Sequence, residues 1–167
     1  MTSSKQKLVG ELSEGIRRMT ALGVLISDLV AERVGLTSND LECLDLIVLG
    51  GGKAAPGDLV KASGLTSGAI TGVIDRLEAA GCVRRQPDDS DRRKFVLVPQ
   101  PGRIAELSAY YAPVQEAMHD LWSTYTTQQL ATLVDFTRRS SDATSAAVEK
   151  IRAMRPLPGS GSRRRRA

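Results

Sequence analysis

Between Pro56 and Val98 the chain's hydrophobic period switches from helical to strand-like, and this limits the folds open to it more than any bulk property. Pro56 suits a first helical position and Asp58 suits the positive end of the same short helix, placed at about 56–63. Ala55 is a poor N-cap for it. Gly64 is a natural left-handed stop. After Ser63-Gly64-Leu65, Thr66 can cap a helix over 67–80, whose apolar residues Ile70, Val73, Ile74, Leu77 and Ala80 recur at spacings of three and four. Gly81 ends it, and the pattern becomes strand, turn, strand. Val83-Arg-Arg-Gln86 and Arg93-Lys-Phe-Val-Leu-Val98 flank the turn-forming Pro87-Asp-Asp-Ser-Asp-Arg92. Two short helices joined by a tight turn and followed by a hairpin make a winged helix-turn-helix.

Long helices flank this segment. Leu8, Leu12, Ile16, Met19, Gly23, Ile26 and Val30 predict one helix over 5–33, stopped at Gly35. Thr37-Ser-Asn-Asp40 is a capping-box pattern opening a mostly buried helix, about 38–49, which ends in Gly50-Gly51-Gly52. Beyond Pro101-Gly102 the pattern predicts a helix over 102–124, kinked near 109–113 by Pro113. A second capping box, Thr126-Thr-Gln-Gln129, opens a last helix over 127–154 whose polar middle, 138–144, is expected to be weaker. Residues 156–162 have linker composition, and Arg163–Arg166 are expected to form a disordered basic tail. The reading is mainly α with a small β-hairpin wing. Residues 1–36 form an N-terminal helix, 37–101 the winged helix-turn-helix, 102–155 C-terminal helices, and 156–167 a tail.

Charge narrows the function classes. The formal net charge of +4 equals the four arginines of the tail, so the remaining body is neutral. Within it, residues 53–103 carry nine basic against six acidic side chains, a local +3. Nucleic-acid binding must therefore rest on local patches. The few aromatics do not suit a stacking platform for single strands. Cys43 and Cys82, 39 residues apart, have no zinc or disulfide-framework spacing, and with the one histidine, His119, they cannot complete a four-ligand site. Both read as buried structural cysteines. Gly50-Gly-Gly-Lys53 lacks the spacing of a phosphate loop and follows a helix. No convergent acid, base or nucleophile supports an enzyme. No apolar run reaches a membrane span and the N-terminus lacks a signal-like core, so a reduced, cytoplasmic protein without cofactor is expected.

With the apolar stripe of helix 67–80 turned inward, Ser67, Gly68, Thr71, Gly72 and Asp75 face out. A glycine inside a helix is destabilising by about 1 kcal/mol relative to alanine. Gly72 therefore points either to close approach by a DNA backbone or to tight packing within the protein. Thr66, Ser67 and Thr71 can bond phosphates or base edges, and free amides at the helix N-terminus favour phosphate. Arg76 has no acid three or four positions away, so it reaches either a phosphate or an acid elsewhere in the fold. Around the hairpin, Arg84, Arg92, Arg93 and Lys94 accompany the acidic tip. Arg93 suits minor-groove insertion, with Asp91 orienting its guanidinium through a bidentate pair. Lys53 and the tail can add phosphate contacts.

Leu65–Gly81 resembles the recognition helix of the MarR family, and Pro87–Arg93 resembles that family's wing tip, with its D-x-R signature on Asp91 and Arg93. The resemblance covers about residues 5–155. It implies a homodimeric regulator, read here as a repressor, whose first and last helices interlock. It also implies double-stranded DNA with a palindromic operator as partner, and release of DNA on binding small aromatic or phenolic ligands. Tyr110, Tyr111, His119 and Trp122 are the candidate ligand residues, with packing as the plainer reading. Three positions depart from the family pattern. Many members carry Arg at the position of Gly72, Cys82 replaces a usual aliphatic residue, and the wing exit reads Val98-Pro-Gln-Pro-Gly102. Gly72 and the neutral body also motivate a rival reading, a winged-helix module for protein–protein contact that has lost DNA binding.

Overall fold

The computed structural model describes residues 3–88, 91 and 93–155. Arg92 and the Arg163–Arg166 tail lie outside the described residues. The element order is α1 (Ser3–Val34), α2 (Ser38–Leu49), α3 (Pro56–Ser63), α4 (Ser67–Ala79), β1 (Val83–Pro87), β2 (Phe95–Pro99), α5 (Pro101–Ala109), α6 (Ala112–Ser123) and α7 (Thr127–Ala153). The chain divides into two compact units, residues 1–113 and 114–167.

The core lies in the first unit. It gathers Val30 and Ala31 of α1, Leu41, Cys43, Leu44 and Ile47 of α2, Leu59 of α3, Ile70, Val73, Ile74 and Leu77 of α4, Leu97 of β2 and Leu107 of α5. The inward stripe of α4 is the one its periodicity predicts. Each junction uses local chemistry. Gly35 takes a φ of 71° and lets the Leu36 N–H close on the Ala31 carbonyl. Thr37 and Asp40 form the expected capping box. Gly64, at φ 74°, ends α3 after a start with no side-chain cap at Ala55. The Thr66 hydroxyl oxygen accepts the Ala69 N–H and starts α4.

The hairpin is antiparallel, with Arg84 opposite Val98 and Arg85 opposite Leu97. Its second strand begins two residues later than the alternation predicts, because Arg93 and Lys94 belong to the tip. Ala54, between α2 and α3, exchanges both backbone hydrogen bonds with Leu97. That bridge ties the wing to the start of the helix-turn-helix, and a single alanine gives no sequence pattern for it.

The expected kinked helix over 102–124 is corrected by the structure to two helices. α5 stops at Ala109, Tyr110 and Tyr111 turn, and α6 starts at Ala112. Pro113 then falls in the first turn of a new helix, where its missing N–H leaves no intrahelical bond unmade. In the second unit, α6 and α7 are joined through a turn closed by Thr124 and Tyr125 and capped by the box of Thr126 and Gln129. α7 runs unbroken through the polar stretch expected to be weak. Asp135 pairs with Arg138 and Arg139 there, and the Ser141 hydroxyl donates to the Thr137 carbonyl. No helix among the described residues is long and apolar enough to cross a membrane.

Candidate nucleic-acid interface

The exposed face of α4 begins after its exposed cap, Thr66, with Ser67, Gly68 and Thr71, the three outward as the periodicity predicts. The first turn is uncharged, so its free amides and hydroxyls meet a partner without repulsion. A Cβ at Gly68 would meet nothing within 4 Å. The Thr66 oxygen is engaged as the cap, leaving its hydroxyl hydrogen to donate outward. The Thr71 hydroxyl instead donates to the Ser67 carbonyl and offers lone pairs.

Arg76 resolves toward the acid. Its Nε lies 3.1 and 2.9 Å from the two Asp40 carboxylate oxygens, and its Nη2 lies 2.7 Å from Oδ1. Asp40 is wholly buried and also accepts from the Thr37 N–H and hydroxyl, both at 2.8 Å. Burial pushes the Asp40 carboxyl up. The Arg76 hydrogen bonds and the two Thr37 donors outweigh it and hold it below the usual carboxylate range. Sequence reasoning saw Asp40 only as a cap. Its partner lies 36 residues away, and the signal on the page was an arginine lacking a local acid.

Gly72 has one close neighbour: its Cβ would stand 3.3 Å from Arg76 Nη1. No backbone crowds it, and the glycine leaves room for the Arg76 guanidinium, a close packing within the protein.

Asp75 also points outward, but toward the wing. Arg85 of β1 places Nη2 2.5 Å from Asp75 and Nε 3.2 Å from Glu78, and its guanidinium sits 5.1 Å from the Phe95 ring centre. Arg85 therefore braces the hairpin against α4, a role sequence reasoning missed in favour of exposed Arg84. The two point to opposite faces because successive strand residues alternate.

At the wing tip, Asp91 organises the turn. Its N–H donates to the Asp88 carboxylate, and its carbonyl accepts the Lys94 N–H. Its Oδ1 accepts both the Arg93 N–H at 3.1 Å and Arg93 Nε at 3.2 Å. The expected bidentate pair is corrected: the guanidinium gives one hydrogen bond and the backbone supplies the second, because Oδ1 is shared with the Arg93 N–H while Oδ2 faces Lys94. The Arg93 side chain stays 91% exposed. Lys94 Nζ lies farther off, at 3.7 Å from Asp91.

The candidate ligand residues are divided between the two units. Tyr111 packs against the core of the first unit, and burial followed by the charge of Asp45 pushes its hydroxyl pKa up. Tyr110 is exposed in the same unit. In the second unit His119 is exposed, and Trp122 lines an apolar groove of about 400 Å³ with Leu130, Leu133, Val134 and Thr137. Another groove, about 440 Å³, runs between α1 and α2, lined by Gly23, Val24, Glu42, Asp45 and Leu46 among others.

A recognition helix with a bare, uncharged first turn, braced to a hairpin that projects an arginine, defines a winged helix-turn-helix of the DNA-reading kind. Residues 34–94 match the sequence pattern of the MarR family. Over 150 residues, 90% of this chain and 97% of the other, the chain is 30% identical to the uncharacterised helix-turn-helix transcriptional regulator YcgE of Bacillus subtilis (strain 168). The chain belongs to the MarR family of transcriptional regulators, which are not enzymes. Its fold is also that of apo MarR from E. coli, with a TM-score of 0.55 at 22% identity, over 77% of this chain and 95% of that one. BpsR of Bordetella bronchiseptica, whose DNA binding is regulated by 6-hydroxynicotinic acid, gives 0.51 at 22% identity, over 78% and 92%.

Proposed function

We propose that the protein is a homodimeric repressor that binds a palindromic duplex operator and is modulated by a small aromatic or phenolic ligand. One observation carries the DNA reading: the exposed, uncharged first turn of α4 lies in the same compact unit as Arg93, which Asp91 holds at the wing tip. Each protomer lays the start of α4 in the major groove, where Ser67, Thr66 and Thr71 meet phosphates and base edges. Arg93 enters the adjacent minor groove, with Arg84, Arg92 and Lys94 on the flanking backbone. The family's DNA-binding members support this assignment. The groove between α1 and α2 lies in the size range of small-molecule sites. Glu42 and Asp45 line it, so neutral phenols suit it better than carboxylates. Localisation in the cytoplasm follows from this role.

The test is fluorescence anisotropy and footprinting on genomic fragments. A protected region about two helical turns long is expected for two half-sites, with Arg93→Ala weakening binding by more than about 1 kcal/mol. Affinity untouched by Arg93→Ala would remove the wing from the interface. No footprint on any fragment would favour the protein–protein module instead. Phenols that bind the chain by calorimetry and also shift operator affinity would establish the effector; binding alone would not.

A further inference from the structure

Asp40, Gly72 and Arg76 connect α2 to the reading face of α4. Two of the three guanidinium nitrogens of Arg76 are committed to the buried Asp40 carboxylate. The third, Nη1, lies over Gly72, 3.3 Å from where a Cβ would stand. Long helical side chains lean toward the helix N-terminus, so the head of a residue at 76 comes to rest about one turn back, at 72. Any side chain at 72 would press on it. The Arg76 side chain is 48% exposed, while Asp40 is wholly covered and fixed by Thr37. One edge of the guanidinium is thus anchored in the protein, and the other end lies over Gly72.

We propose that Arg76 is the phosphate-binding cation of the recognition helix, seated over Gly72 and preset by Asp40. The inference rests on the reading of α4 as a duplex-binding helix. The glycine at 72 gives up helix propensity and makes the seat for this guanidinium, whose outer end stays on the exposed face of α4. Here the space above that glycine is taken by Nη1. Asp40 takes the Nε–H and one Nη2–H, and the end-on fork of Nη1 and Nη2 remains. That fork fits two phosphate oxygens, and such a contact sets the depth and angle of the helix rather than sequence preference. Asp40 acts through Arg76 and is a positioning residue.

The test is the salt dependence of affinity for a selected duplex, measured for the full-length chain. Asp40→Asn/Arg76→Gln removes both charges without leaving one buried alone, and circular dichroism checks that it folds. The expected result is a salt slope shallower by about 0.9 per protomer, with affinity lost evenly across sequences. Adding Gly72→Arg to that pair should restore the slope without restoring the urea midpoint. A folded double variant with wild-type slope and affinity overturns the inference. A loss confined to one base position, with the slope intact, overturns the phosphate assignment. If the double variant does not fold, Arg76→Lys decides. Its single nitrogen reaches either Asp40 or the duplex, so the slope should fall, and an unchanged slope overturns the inference. A wild-type chain that binds no duplex would instead overturn the DNA reading beneath it.

Discussion

Asp40 is the residue on which the recognition helix is hung. A carboxylate with no exposed surface is costly unless it is paired and hydrogen-bonded, and Asp40 accepts from Thr37 twice and from Arg76 through two nitrogens. Removing Arg76 alone leaves a buried charge, so Arg76→Ala should cost about 3 kcal/mol. That is the low end for breaking a buried pair, because the guanidinium side is half exposed; urea unfolding measures it. The pH dependence has a definite sign. The folded carboxyl lies below its ordinary value, so the unfolded chain binds more protons between the two values and stability rises with pH there. The contribution is complete above the unfolded value of about 4 and fades as pH falls through the lower folded one. Wild type should therefore lose stability below about pH 4 more steeply than Asp40→Asn, and parallel acid melts of the two would remove Asp40 as the cause. The cysteines behave as buried thiols. Cys43 is pushed up to about 11, first by burial and then by the charges of Glu42 and Asp40, and Cys82 is raised by burial. Both should resist a thiol reagent at neutral pH until the protein unfolds; rapid labelling of the native chain would refute this.

Among the elements, the wing stands where it does because Arg85 ties it to α4 through Asp75, Glu78 and the Phe95 ring. The groups are partly exposed, so the ion pairs should add less than about 1 kcal/mol to global stability. Arg85→Ala is expected to leave the melting curve nearly unchanged while raising hydrogen exchange across β1 and β2 and weakening DNA binding. Unaltered exchange would mean that the Ala54–Leu97 bridge holds the wing alone. Most elements could be read from the chain, because their boundaries are set locally by Thr37, Gly64, Thr66, Gly81 and Thr126. What could not be read depends on long-range contact. The Asp40–Arg76 pair and the Ala54–Leu97 bridge join residues far apart in sequence, and alternation alone could not tell which of Arg84 and Arg85 faces α4. The proline at 113 was legible as a disturbance. Whether it kinks a helix or begins one depends on where the preceding helix frays, and Tyr110-Tyr111 settles that through turn hydrogen bonds.

At the scale of the whole molecule, the exposed apolar surface calls for a second chain. Through most of α1 the stripe Leu8, Leu12, Ile16, Met19 and Leu22 is exposed, and only from Ile26 onward does the helix meet the core. In the second unit α6 and α7 bury no residue, and Leu121, Trp122, Leu133, Val134, Val148 and Ile151 are exposed. Isolated helices are marginal in water unless an apolar face is packed, and monomers seldom expose contiguous apolar surface on this scale. The proposed homodimer would cover both sets, and it is the assembly the operator reading needs. Leu12→Glu or Ile16→Glu puts a charge in that stripe without touching the core of the first unit. Either variant should sediment as a monomer at micromolar concentration and lose α-helical signal from α1. Because two half-sites then bind independently, its affinity for the full operator should fall toward that of a single half-site. A variant that stays dimeric, with wild-type helicity and affinity, would show that the α1 stripe is not part of the interface and that the exposed face of the second unit carries the assembly alone.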